Sequence, residues 1–163
     1  AIRYPRGQGV MPEWKTELKI IEVGTGRKLR VGQDIAILSI GHIGNYVTTA
    51  CDQIEKKGIY PAHYDMRFVK PLDSELLHKI LRKYKYILTV EDGCLLGGFG
   101  SSVIEFMSDN NYKNYIKRLG IPDKIIEHGS QDQLYTECGY DKKAIIDAGI
   151  KITDKTMLEE LIF

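Results

Sequence analysis

Apolar positions recur along the chain in two alternating rhythms. Ile35-Ala36-Ile37-Leu38-Ser39-Ile40 is a short, nearly continuous apolar run ended by Gly41, the pattern of a strand covered on both faces. Val47, Cys51 and Ile54 follow at i, i+4 and i+7 up to Gly58, which predicts a helix with one buried stripe. Tyr60 to Met66 alternates loosely and reads as a second strand. Asp73 is placed to cap a helix that buries Leu76, Leu77, Ile80 and Leu81, and Tyr86-Ile87-Leu88-Thr89-Val90 is a third strand. A glycine-rich turn from Gly93 to Gly100 opens a helix carrying Val103, Ile104, Phe106 and Met107, and Tyr115 to Leu119 makes a fourth strand. Ser130 and Gln133 have capping-box spacing for a short helix closed by Gly139. Asp141 caps a last helix, expected to run toward Phe163 with an interruption near Gly149 and Thr153.

Residues 1–33 are different. Pro5, Gly7, Gly9 and Pro12 break any helix, and Leu18–Val23 and Lys28–Val31 flank Gly24-Thr25-Gly26 as the two arms of a hairpin. Strands alternating with helical segments are the signature of βαβ units with right-handed crossovers. The expected fold is therefore α/β: an open, mainly parallel twisted sheet with helices on both faces, the hairpin supplying an antiparallel edge strand. Residues 1–16 read as a linker, 17–148 as the folded domain and 149–163 as a partly helical tail. The abrupt start at Ala1, followed at once by Arg3-Tyr4-Pro5-Arg6-Gly7, predicts a piece of a longer polypeptide.

Composition narrows the function classes. The chain has 163 residues, 43% of them hydrophobic, enough for a core without disulfide or metal support. With 23 Lys plus Arg against 22 Asp plus Glu, the formal charge of +1 argues against nucleic acid or an acidic membrane as a partner. No apolar run reaches the length of about 18 residues that a membrane span needs, and no signal-peptide pattern opens the sequence, so a soluble cytoplasmic protein is expected. Cys51, Cys94 and Cys138 are odd in number and widely separated, which suits free reduced thiols. His42, His63, His78 and His128 show no paired spacing, so no metal site is expected.

In open α/β sheets ligands sit beyond the carboxyl ends of the strands, here Gly41–Asn45, Arg67–Asp73, Glu91–Gly100 and Gly120–Gly129. Gly97, Gly98, Gly100 and Ser101 precede a helix, and amides facing outward there would suit a phosphate or carboxylate. The same glycines would also allow the helix to pack closely on the sheet. Of Glu91-Asp92, one carboxylate is expected to cap the glycine turn and the other to be solvated. Arg67 is expected to pair with a neighbouring carboxylate, and His128 is a lone histidine. Arg3 and Arg6, on a proline-stiffened segment, can offer a guanidinium fork to a phosphate. No Ser–His–Asp or Cys–His set is evident.

Taken in order, five motifs say more than any one of them. Arg3-Tyr4-Pro5-Arg6-Gly7, Asp65-Met66-Arg67-Phe68-Val69-Lys70-Pro71-Leu72-Asp73, Thr89-Val90-Glu91-Asp92 with Gly97-Gly98-Phe99-Gly100-Ser101, Leu119-Gly120-Ile121-Pro122-Asp123 and Glu127-His128-Gly129-Ser130-Gln131 together resemble the C-terminal, transketolase-like domain of deoxyxylulose-phosphate synthases. The resemblance covers about residues 1 to 148. It implies a reaction that condenses pyruvate with glyceraldehyde 3-phosphate and releases CO2, a step toward isoprenoid precursors. It also implies thiamine diphosphate and Mg2+ held by N-terminal domains outside these 163 residues, and a homodimer completed by the present domain. In that family the second arginine of the Arg-Tyr-Pro-Arg-Gly segment contacts the acceptor's phosphate, which points to Arg6. No catalytic residue is implied here, and the chain alone is expected to be inactive. Two other readings stay open: the C-terminal domain of a 2-oxo-acid dehydrogenase β chain, and a free-standing module binding a small anion at the glycine loop.

Overall fold

A computed structural model of the chain describes Glu17 and residues 19–154. The expectations for Arg6, for the 1–16 linker and for residues 155–163 lie outside the described residues.

The apolar run at Ile35–Ile40 (β2) is the middle of a five-stranded sheet, and the residues from Ile35 to Leu38 are fully buried. Parallel partners flank it on both sides: β3 (Pro61–Asp65) and β4 (Tyr86–Cys94). Beyond β4 lies β5 (Tyr115–Ile121), also parallel, and beyond β3 lies the short antiparallel edge strand β1 (Arg27–Arg30). The order β1-β3-β2-β4-β5 is the mainly parallel open sheet expected from the pattern.

Side-chain alternation along β2 builds two cores at once. Ile35 and Ile37 face α1 (Gly44–Glu55) and α5 (Lys142–Thr153), together with Val47, Cys51, Ile54 and Ile145. Ala36 and Leu38 face α2 (Ser74–Lys83) and α3 (Phe99–Asp109), together with Leu77, Ile80, Leu81 and Val103. Each fully buried Ile or Leu contributes on the order of 2 kcal/mol, so both layers are firmly held. Helix starts follow the sequence signals: the Asp73 and Asp141 side chains accept the amides of Leu76 and Ala144 at 2.9 and 2.8 Å. In α4 (Gln131–Cys138) the Gln133 side chain accepts the Ser130 N–H at 3.0 Å, and Gly139 ends the helix at φ +72°.

Two local expectations are corrected. The hairpin's second arm forms β1, but residues 19–23 form no strand. The reason is long-range: the Gly26 amide donates to the Asp73 carboxylate at 2.8 Å, and Arg27 pairs with Asp65 at 3.0 Å, so the turn is anchored to the α2 cap and to β3. Helix α5 passes Gly149 without a break. A Cβ there would lie 2.8 Å from Ile54 Cδ1, so the glycine marks where α5 crosses α1. Among the described residues no helix is long and apolar enough to cross a membrane.

Candidate functional site

The chain leaves β2 toward β3 on one side, and the next crossover returns to β4 on the other. The carboxyl ends of β2 and β4 therefore diverge, and open α/β sheets form their ligand crevices at such a point. A cleft of about 960 Å³ opens there, lined from all four strand-end loops by Gly41 and His42, Arg67 and Val69, Glu91 and Asp92, and Ile121 with Ile126. Helix α4 contributes Gln131, Leu134 and Tyr135.

The two acidic residues after Val90 part company because β4 bulges against β5, with Val90 opposite Leu119 and Cys94 opposite Ile121. Glu91 turns into the protein. Its carboxylate accepts the Phe99 and Gly100 amides at 2.7 and 2.8 Å, at the positive end of α3. Asp92 turns into the cleft. It accepts the Tyr140 hydroxyl at 2.9 Å and the Tyr135 hydroxyl at 3.4 Å, and its Oδ2 lies 3.2 Å from His42 Nε2. The Tyr135 hydroxyl also sits 2.6 Å from His42 Nε2 and accepts the Gln131 side-chain N–H at 2.7 Å. Burial first, and then the Asp92 carboxylate, push both phenols above their ordinary value, so each remains a proton donor across neutral pH.

In the glycine loop the Phe99 and Gly100 N–H groups point at Glu91, the carboxylate that caps the turn, and the Gly97 N–H donates to Ser101 Oγ at 3.1 Å. Ser101 Oγ in turn donates to the Leu95 carbonyl at 2.9 Å and accepts from Arg118 at 2.9 Å. A Cβ on Gly98 would lie 2.0 Å from the Cys94 carbonyl oxygen, which is why the position is glycine. Arg67 departs from expectation. Its backbone N–H donates to Asp65 at 3.2 Å, while its guanidinium makes no hydrogen bond or ion pair with the described residues. The residue adopts φ +56°, in the left-handed region. His128 is exposed in the β5–α4 connection.

Elsewhere Ser39 Oγ and His63 Nε2 meet at 2.7 Å beneath α1, with Thr48 Oγ1 3.4 Å from Nδ1. The pair is fully enclosed, and burial lowers the imidazole to about 4, so it is a neutral packing pair and not a nucleophile–base set. Burial likewise pushes the Cys51 thiol up to about 12. Among the described residues no three His, Cys, Asp or Glu side chains converge as metal ligands. The missed members of the cleft are His42, Tyr135 and Tyr140, whose contacts with one another and with Asp92 span 43 to 93 positions in sequence and leave no spacing signal.

The family model described as "Transketolase, C-terminal domain" matches residues 24–145. A 1-deoxy-D-xylulose-5-phosphate synthase of Cytophaga hutchinsonii is 61% identical over 145 residues, covering 89% of this chain and 23% of that protein. The corresponding synthase of Bacillus mycoides is 42% identical over 148 residues, covering 90% and 24%. This chain thus spans about a quarter of the length of these relatives. Among solved structures, a split-gene transketolase described as an inactive β4 tetramer superposes with a TM-score of 0.76 at 28% identity, over 82% of this chain and 43% of that one. A Pichia stipitis transketolase shares the fold, with a TM-score of 0.59 at 16% identity over 80% and 18% of the two chains.

Proposed function

Because the chain belongs to the transketolase C-terminal domain family, we propose that it is the C-terminal domain of a thiamine-diphosphate-dependent synthase that joins pyruvate to glyceraldehyde 3-phosphate with loss of CO2. The observation that carries this reading is the 61% identity to a 1-deoxy-D-xylulose-5-phosphate synthase over 89% of the chain. In that role the domain works beside its own N-terminal domains and within a homodimer, in the cytoplasm.

The described residues do not fit the cofactor. A diphosphate with Mg2+ needs converging oxygen ligands and free amides. Here no such ligand group forms, and the Phe99 and Gly100 amides are taken by Glu91. Thiamine diphosphate supplies the carbon–carbon bond chemistry when bound by the rest of the polypeptide, and no step of it is assigned to these residues. What this chain contributes is a rigid two-faced scaffold and, from the segment before the described residues, the Arg6 guanidinium for the acceptor's phosphate. A planar donor array with a permanent charge suits that group.

The test is to express the longer polypeptide that contains this sequence and assay it with pyruvate, glyceraldehyde 3-phosphate, thiamine diphosphate and Mg2+. Formation of 1-deoxy-D-xylulose 5-phosphate is expected. A protein that takes up the cofactor and decarboxylates pyruvate, but transfers nothing to the phosphorylated aldehyde, contradicts the reading.

A further inference from the structure

The formal charge of +1 conceals a segregation along the strand direction. The carboxyl ends of the strands hold Asp65, Asp73, Glu91 and Asp92, whereas the turns entering β3, β4 and β5 at the amino ends carry Lys56, Lys57, Arg82, Lys83, Lys85 and Lys113. Because β4 and β5 are neighbours, the α2–β4 and α3–β5 turns lie side by side and enclose a groove of about 550 Å³. The Asn114 side-chain amide donates to the Leu81 and Tyr84 carbonyls at 2.8 and 2.5 Å, and the Tyr115 N–H to the Lys85 carbonyl at 3.0 Å, which holds the two turns together.

Four cations line this groove: Arg82, Lys83, Lys85 and Lys113. All four are exposed, and none forms an ion pair with a carboxylate of the described residues. Of the acidic residues at this end, Asp34 accepts the Tyr60 N–H at 2.6 Å, and Asp109 forms no ion pair with the four. Basic residues in the last turn of a helix offset its dipole, which accounts for Arg82 and Lys83 at the end of α2. It does not account for Lys85 and Lys113, which lie beyond the helices on the connecting turns. The Lys85 ammonium is held in place over the Tyr86 and Tyr115 rings, at 5.3 and 5.2 Å from their centroids.

We infer that this groove, at the opposite end of the sheet from the strand-end cleft, docks an acidic protein segment carrying several Asp or Glu side chains. Unanswered cations on two locked turns attract such a segment and set its position by charge. Nucleic acid fits less well. The groove offers no platform for base stacking, since Tyr84 is buried and Tyr112 packs against His78 with its hydroxyl 2.8 Å from Nδ1. Three of the four cations are lysines, point charges suited to separate carboxylates, whereas phosphate is gripped best by the two-pronged arginine fork.

The test is the fluorescence anisotropy of a labelled hexaglutamate peptide, titrated with the longer polypeptide that contains this sequence. Saturable binding is expected in about 20 mM sodium chloride, where screening is weak, and it should weaken about tenfold or more in about 200 mM. The double variant Lys85→Glu, Lys113→Glu should raise the apparent Kd about tenfold or more. Lys142→Glu, Lys143→Glu makes the same charge change at exposed positions at the start of α5, and should alter the Kd less than about twofold. Circular dichroism checks that both double variants keep the fold. No saturable binding, or equal weakening in the two double variants, overturns the inference. So does binding of a labelled single-stranded hexathymidylate that is tighter than that of hexaglutamate and is lost in Lys85→Glu, Lys113→Glu. Peptide binding needs neither cofactor nor turnover, so its outcome is independent of the synthase assay.

Discussion

The Glu91 carboxylate closes the amino end of the helix that Phe99 begins, its Oε2 accepting the Phe99 N–H at 2.7 Å and its Oε1 the Gly100 N–H at 2.8 Å. Both amides are buried, so removing the acceptor leaves two donors without a partner. Glu91→Ala should cost about 3 kcal/mol in urea unfolding, and Glu91→Gln, which keeps one acceptor oxygen, about half of that. A loss under about 0.5 kcal/mol for the alanine variant would show that the cap does not stabilise the fold.

Gly97 and Gly98 are neighbours with different reasons to be glycine. Gly97 sits at φ +69° with open space where a Cβ would be, so Gly97→Ala should cost only the left-handed penalty of about 1–2 kcal/mol. At Gly98 a Cβ would lie 2.0 Å from the Cys94 carbonyl and 2.3 Å from Glu91 Oε2. Gly98→Ala should therefore lose about 3 kcal/mol or more, or fail to fold. Thermal unfolding of the two variants side by side checks the ranking, and the reverse order would contradict this account of the loop.

Periodicity exposed most of the fold because the relevant contacts are local. The double-sided burial of β2, the α1 stripe and the Asp73 and Asp141 caps all follow from residues a few positions apart. The cap that Glu91 gives α3 was within reach for the same reason, since the partners are only 8 and 9 residues apart. Long-range partners were not. The Gly26–Asp73 hydrogen bond that replaces the hairpin spans 47 residues, and the Asp92–Tyr140 bond that withdraws Asp92 from solvent spans 48. Gly149 looked like a helix break because its use is tertiary: it makes room for Ile54.

His63 gives the fold an acid limit. Its folded value near 4 lies below the ordinary 6.5 because burial disfavours the imidazolium, with Arg30 and Arg27 adding to the effect and Asp65 opposing it. Between those values the unfolded chain binds a proton that the folded chain does not, so stability is fully present above about pH 6.5 and is lost as the pH falls toward 4. The loss attributable to this residue is about 3 kcal/mol. Urea unfolding across this range should show a steeper pH dependence in the native chain than in His63→Gln, which keeps a polar partner for Ser39. Equal slopes would contradict the buried neutral assignment.

The phosphate contact proposed for Arg6 would separate substrate binding from the chemistry. In the longer protein, Arg6→Ala should raise KM for glyceraldehyde 3-phosphate about tenfold or more, as the loss of a charge-assisted contact requires, while leaving KM for pyruvate nearly unchanged. Steady-state kinetics with each substrate varied in turn measures the split, and equal effects on both would remove the phosphate-contact role.

Carbon–carbon bond formation is proposed to reside outside these 163 residues. The decisive experiment incubates this chain alone with pyruvate, glyceraldehyde 3-phosphate, thiamine diphosphate and Mg2+ and follows 1-deoxy-D-xylulose 5-phosphate by mass spectrometry. No product above the protein-free control is expected; product that grows in proportion to the concentration of the chain would overturn the assignment.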